Sequence, residues 1–74
     1  MKFEELLRVF PEQRLWGATD GDRTYVISFD AKHPERGYES SWSRPRCKPT
    51  PIGTSYTMHQ AVAACRAFRR RKDN

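Results

Sequence analysis

The sequence predicts an α+β fold: a three-stranded antiparallel sheet with a short N-terminal helix and a C-terminal helix packed on the sheet. Apolar residues recur at helical spacing near both ends of the chain, and they alternate with polar residues in between. The 74 residues are enough for a single small domain with one thin layer of core side chains. We assign a helix to 1–12, a strand meander to 13–44, a proline-rich basic loop to 45–56 and a helix to 57–72.

The first segment has the apolar spacing of one face of a helix. Its apolar residues at positions i, i+3, i+4 and i+7 are Phe3, Leu6, Leu7 and Phe10. Pro11 ends the predicted helix after about two turns, and a helix this short is marginal in water unless it docks on something. It either packs on the protein's own core or meets a partner. The second alternative assigns the partner contact to Phe3, Leu6, Leu7 and Arg8.

The middle of the chain predicts three strands. Asp20-Gly21 is a signal for a type I′ hairpin turn, in which both central residues have positive φ. After the turn, Tyr25, Ile27 and Phe29 alternate with smaller or more polar residues, which is the period of a half-buried strand. The same alternation in the segment YESSWSR, residues 38–44, predicts the third strand.

The last segment predicts an amphipathic helix. Thr57 and Gln60 have the spacing of a capping box, in which each side chain satisfies a free backbone N–H of the other residue. The apolar face of this helix is formed by Met58, Ala61, Val62, Cys65 and Phe68. Its C-terminal end is rich in arginine, and cations there interact favourably with the negative end of the helix dipole.

Charge is distributed unevenly along the chain. Residues 1–42 contain six cations and eight carboxylates, whereas residues 43–74 contain eight cations and one carboxylate. Such asymmetry favours a partner that is nucleic acid or an acidic protein surface, although solubility alone also explains surface charge. The chain has no apolar run near 18 residues and no signal-peptide core, so we expect no membrane association and a cytoplasmic location.

The sign of the charge changes in the segment SWSRPRCKPTP, residues 41–51. Its prolines hold the preceding residues extended, and its cations alternate along the chain. With the end of the last helix it predicts a continuous basic strip: Arg44, Arg46, Lys48, Arg66, Arg69, Arg70 and Arg71. The strip either grips an anionic partner or protects an edge of the sheet against pairing with other chains.

The histidines and cysteines do not predict a metal site. His33, Cys47, His59 and Cys65 lack the close pairs that structural zinc sites use. We therefore expect no metal and no cofactor, and we leave open whether Cys47 and Cys65 form a disulfide. A nucleophile with a base at a recognisable spacing is also missing, so the sequence does not favour an enzyme.

The predicted layout resembles the small DNA-binding modules of plant transcription factors and the arm-binding domains of integrases, which place an open sheet face in a major groove. Here that face is predicted to show Thr24, Val26, Ser28, Glu39, Ser41 and Ser43, with Asp20, Asp22 and Asp30 near the strand ends. Because this face has few cations, we do not expect the sheet to read a groove.

In size, thin core, charge distribution and leading amphipathic segment, the chain resembles small phage-encoded transcription regulators of the Xanthomonas phage type. That resemblance implies a monomer that binds the host RNA polymerase, inhibits initiation by interfering with the sigma factor and suppresses termination. The first segment would then contact the polymerase, and the basic strip would face polymerase carboxylates or RNA. The alternative is a DNA- or RNA-binding module that uses the basic loop and the arginine-rich helix end.

Overall fold

The computed structural model describes residues 1–6 and 10–72, with side chains of the last helix described as far as residue 70. One antiparallel sheet has strands in the order β1-β2-β3-β4-β5, and one C-terminal helix packs on it. The strands are β1 (Glu4–Glu5), β2 (Gln13–Asp20), β3 (Arg23–Asp30), β4 (Tyr38–Ser43) and β5 (Thr50–Ser55). The helix α1 spans Met58–Lys72, and a 3₁₀ turn covers Pro34–Arg36. The predicted α+β class and antiparallel sheet are confirmed, but the sheet has five strands instead of three.

The predicted N-terminal helix over 1–12 is wrong for the part of this segment that the structure describes. Glu4 and Glu5 form the edge strand β1, paired with Gly17 and Trp16. The Leu6 backbone N–H continues this pairing by donating to the Leu15 carbonyl at 2.8 Å. An isolated two-turn helix is marginal, whereas pairing satisfies backbone groups that β2 would otherwise leave open at its edge.

The second extra strand lies inside the predicted loop 45–56. The extended backbone that prolines impose suits a strand, and Pro51 lies in β5, an edge strand where a missing N–H is tolerated. The register shifts at Ser40/Ser41 and leaves Ile52 as the extra residue of a bulge, packed on the core. The basic loop therefore shortens to residues 44–49.

The hairpin between β2 and β3 forms where it was predicted, but its turn is displaced by one residue. Asp20 pairs with Arg23, so the two central residues are Gly21 and Asp22. Among the described residues of this turn only Gly21 has a positive φ, at 65°. A positive φ at the first central position alone is typical of a type II′ turn and not of type I′.

The core lies between the sheet and α1, and the predicted alternation of buried positions is confirmed. Its fully buried residues are Tyr25, Ile27, Ala61 and Cys65. The other predicted helix-face residues, Met58, Val62 and Phe68, pack against them. The capping box also forms: the Gln60 backbone N–H donates to Thr57 Oγ1 at 3.1 Å, and the Thr57 N–H donates to Gln60 Oε1 at 3.3 Å.

Within the described residues, no helix has the length and apolar character needed to cross a membrane.

Candidate functional site

The two predicted parts of the basic strip lie at the same end of the sheet. Thr24 pairs with Ser43, so the loop after β4 lies beside the β2–β3 turn. The Nε group of Arg69 donates to a carboxylate oxygen of Asp20, so the end of α1 reaches the same turn. We call this region the basic end, and define it as residues 20–23, residues 44–48 and the side chains of Arg66, Arg69 and Arg70.

Two aspartates of the turn partly neutralise two cations of the basic end. Asp20 binds Arg69, and both side chains are partly buried. Asp22 lies 3.8 Å from the Nε group of Arg44, and both of these side chains are exposed. Asp20 therefore lies on the side of the sheet that faces α1, not beside the open face as expected. Exposed pairs contribute little to stability, but they compensate charge locally.

An aromatic cluster holds further cations in place at the basic end. The Trp42 ring lies 5.6 Å from the Phe68 ring, centroid to centroid. The guanidinium of Arg44 lies 5.7 Å from the Trp42 ring centroid, and that of Arg23 lies 6.0 Å from it. Such cation–π contacts are individually weak, but they orient the guanidinium groups. Arg23 was not among the predicted site residues; its position directly after the hairpin turn is the signal that would have indicated it.

Four cations of the basic end form no ion pair with any described residue: Arg46, Lys48, Arg66 and Arg70. All four are exposed. Each belongs to the predicted strip. Because no carboxylate compensates them, they generate a positive potential in the surrounding solvent and attract anions. Arg71, which also belongs to the predicted strip, lies in α1, but its side chain is outside the described part of the structure.

A groove of about 600 Å³ runs along α1 beside the N-terminus of the chain. It is lined by Met1, His59, Val62, Ala63, Arg66, Arg69 and Arg70. The helix residues follow one stripe along α1, and the lining contains no carboxylate among the described residues. No spacing pattern in the sequence indicates this groove, since Met1 and α1 are far apart in the chain.

Arg46 adopts a conformation that is unusual for a residue with a side chain. Its φ is +64°, and it is the only residue other than glycine with positive φ in the described part of the chain. The left-handed region costs a non-glycine residue about 1 kcal/mol. The adjacent backbone is held by a hydrogen bond in which the Cys47 N–H donates to the Arg44 carbonyl at 3.1 Å. The strained residue is thus also one of the four cations without an ion pair.

The predicted partner-binding residues of the first segment do not form one surface. Phe3 packs on the core on the side of α1. Leu6 is 42% exposed and lies over Gly17 on the opposite face, where a Cβ on Gly17 would be 3.3 Å from Leu6 Cδ1. Leu7 and Arg8 lie outside the described residues. The face shared by Phe3 and Leu6 that a helix predicts is therefore absent, because side chains alternate along a strand.

The cysteines and histidines are separated. Cys47 is an exposed free thiol, and Cys65 is a buried one. Burial raises the pKa of the Cys65 thiol, and the neighbouring Ser40 hydroxyl offsets part of that effect. His33 lies 3.3 Å from a carboxylate oxygen of Glu35. No group of three or more potential metal ligands occurs among the described side chains.

No protein-family model matches this chain, and neither a curated protein nor a solved structure matches it. The geometry of the site itself is therefore what bears on function. The basic end combines uncompensated cations from a loop and a helix with two cations held by aspartates, an arrangement suited to binding an anion.

Proposed function

We propose that this chain is a small, cytoplasmic, non-enzymatic protein that binds nucleic acid through its basic end. The observation that carries the proposal is the clustering of four exposed cations without ion pairs at one end of the sheet: Arg46, Lys48, Arg66 and Arg70. Three of them are arginines, whose planar fork donates two hydrogen bonds to a phosphate.

The distribution of these cations favours an extended anion over a small one. Arg46 and Lys48 belong to the β4–β5 loop, whereas Arg66 and Arg70 line the groove along α1. A single phosphate ion would contact one of these groups, but a row of phosphates can contact both. Each phosphate contact releases counterions, which makes the affinity strongly dependent on salt.

The test compares two double variants that each remove two cations. Arg66→Ala/Arg70→Ala alters the basic end, and Lys32→Ala/Arg36→Ala alters the opposite end of the sheet. Fluorescence anisotropy with a labelled 20-base-pair DNA at 0.1 M salt measures the affinity. Each phosphate contact contributes about −0.9 to the slope of log affinity against log salt concentration. The loss of one contact therefore weakens binding about eightfold at 0.1 M salt. We therefore expect a loss of about 60-fold for the first variant and less than about twofold for the second. Equal losses in both would mean that only net charge matters.

A second candidate function is the regulation of transcription through direct binding to the host RNA polymerase, with inhibition of initiation and suppression of termination. Two exposed apolar side chains of the N-terminal segment favour it. Leu6 is 42% exposed and Phe10 is 57% exposed. Leu6 lies directly before the segment 7–9, which contains Leu7 and Arg8, and Phe10 lies directly after it. Exposed apolar patches are typical of protein contacts, and Leu6 and Phe10 lie four positions apart in the chain.

Purified bacterial RNA polymerase tests this candidate without interference from nucleic acid. The tagged protein is immobilised, and polymerase treated with nuclease is passed over it. Binding that Leu7→Ala/Arg8→Ala and Phe10→Ala abolish, but that Tyr56→Ala leaves intact, would support a contact by the N-terminal segment. Tyr56 is 91% exposed and serves as the control for loss of an exposed aromatic ring. Absence of binding by the wild-type protein would exclude this candidate.

A further inference from the structure

We infer that the nucleic acid bound by the basic end is double-stranded, and that the two groups of uncompensated cations contact phosphates of both strands. This inference rests on the proposed nucleic-acid binding and specifies its ligand. Two features of the structure carry it: the location of the aromatic side chains, and the division of the uncompensated cations between a loop and a helix.

Proteins that bind single strands combine a basic groove with exposed aromatic rings on which bases stack. The chain has four Phe, two Trp and three Tyr, and all of them belong to the described residues. At the basic end the aromatic residues are Trp42 and Phe68, which are partly buried and lie against each other. The basic end therefore offers cations for phosphates but no free ring for a base.

The rings that are exposed lie at the opposite end of the molecule. Tyr56 directly follows β5 where Ser55 pairs with Tyr38, and it is 91% exposed. Phe10 is 57% exposed. Its backbone carbonyl accepts a hydrogen bond from the N–H of Gln13, the first residue of β2. A single strand would have to extend along the whole sheet to reach both these rings and the basic end.

The uncompensated cations form two groups on different elements. The Arg66/Arg70 group lies on α1 beside Met1, and the Arg46/Lys48 group lies in the loop after β4. A duplex supplies two phosphate rows, one for each group, whereas a single strand supplies only one.

The open face of the sheet adds no contacts to bases. Its residues on β3 and β4 include Thr24, Val26, Ser28, Ser41 and Ser43, and its charged residue on β4 is Glu39. A carboxylate repels the phosphates that border a groove. Binding is therefore expected to depend little on base sequence, because phosphate contacts position a protein but do not read bases.

The experiment compares a labelled 20-base-pair DNA duplex with each of its two separated strands at 0.1 M salt. The slope of log affinity against log salt is steeper for a duplex than for a single strand by about 0.2 per phosphate contact. For four contacts this difference makes duplex binding about sixfold tighter at 0.1 M salt. Tyr56→Ala is expected to leave duplex affinity unchanged, since its ring lies at the opposite end.

The outcomes separate this inference from the function on which it rests. Tighter binding to the duplex, unaffected by Tyr56→Ala, supports it. Equal or tighter binding to a single strand overturns the inference and leaves nucleic-acid binding standing, and a loss of strand affinity in Tyr56→Ala would then assign that binding to stacking. Binding to neither form overturns both the inference and the proposed function.

Discussion

The two ends of the sheet differ in how their charges are compensated. The basic end has seven described cations and two carboxylates: Arg23, Arg44, Arg46, Lys48, Arg66, Arg69 and Arg70 against Asp20 and Asp22. The other end, here called the acidic end, comprises residue 12 and residues 30–39. Its charges are four carboxylates and two permanent cations: Glu12, Asp30, Glu35 and Glu39 against Lys32 and Arg36.

At the acidic end carboxylates outnumber the permanent cations, and several of the charged groups have partners. Lys32 Nζ lies 3.5 Å from Glu12 Oε1, and the Lys32 backbone N–H donates to Asp30 Oδ1 at 2.9 Å. At the basic end most cations lack such partners. Crowded like charges repel each other, and an anion that binds there removes the repulsion. The comparison supports the proposal that the basic end serves binding, and it leaves the acidic end a role mainly in the fold.

The strongest test of the acidic end as a structural region is Gly37→Ala. Gly37 has a φ of +69°, and a Cβ on it would overlap the Ser55 carbonyl oxygen in the β4–β5 pair. We expect a loss of several kcal/mol of unfolding free energy, because backbone has to move. Chemical denaturation measures it.

Gly21→Ala is the matched control at the basic end. Gly21 has a similar φ of +65°, but nothing lies within 4 Å of an added Cβ. Its cost should be limited to the unfavourable backbone conformation of this turn position, about 1–3 kcal/mol. Equal costs for the two variants would contradict the difference in packing between the ends.

Arg46→Gly separates binding from stability at the basic end. Glycine adopts the +64° φ of this position without strain, so we expect stability to rise by about 1 kcal/mol. The variant also loses a phosphate contact, so duplex affinity should fall about eightfold at 0.1 M salt. Thermal denaturation and anisotropy measure the two effects. The control Arg46→Lys keeps both the strain and the charge. If it loses as much duplex affinity as Arg46→Gly, the charge at this position is not what matters for binding.

Asp22→Asn should increase binding. Asp22 lies 3.8 Å from Arg44, and its removal frees that cation for a phosphate. The affinity for duplex DNA should rise by up to about eightfold at 0.1 M salt. Glu39→Gln removes the same charge from the acidic end and should change affinity by less than about twofold. A similar gain from both variants would favour a long-range charge effect over release of Arg44.

Gln60→Ala tests whether the start of α1 belongs to the fold alone. Gln60 Oε1 accepts hydrogen bonds from the backbone N–H groups of Tyr56 and Thr57. Their loss should lower the unfolding free energy by about 1 kcal/mol and leave DNA affinity unchanged. Gln60→Glu keeps an acceptor at this position and should retain most of the stability. Reduced DNA binding at temperatures where the variant is fully folded would contradict this assignment.

The sequence predicted the parts of the fold that local patterns determine. The alternation of Tyr25 and Ile27 identified a strand, and the Thr57/Gln60 spacing identified the start of α1. The edge strand β1 was missed because it has only two residues, and β5 was missed because prolines and cations around it predicted a loop. Both depend on pairing with the rest of the sheet. Apolar spacing over eight residues at the N-terminus fitted a helix, but strand pairing outweighed so weak a local preference.

All cations of the candidate site except Arg23 were predicted, but their environment was not. Charge spacing along the chain identified Arg46 and Arg70, and the fold places the loop and the helix end together. The contact between Asp20 and Arg69 joins residues 49 positions apart, so no local pattern indicates which cations are compensated. For the same reason the groove beside Met1 could not be derived from spacing.

Phosphate binding by the basic end is tested by the salt dependence of duplex affinity. If four uncompensated cations contact phosphates, the slope of log affinity against log salt is about −3.6, and Arg66→Ala/Arg70→Ala halves it to about −1.8. A slope near zero, or one that this double variant leaves unchanged, would contradict phosphate binding by the basic end.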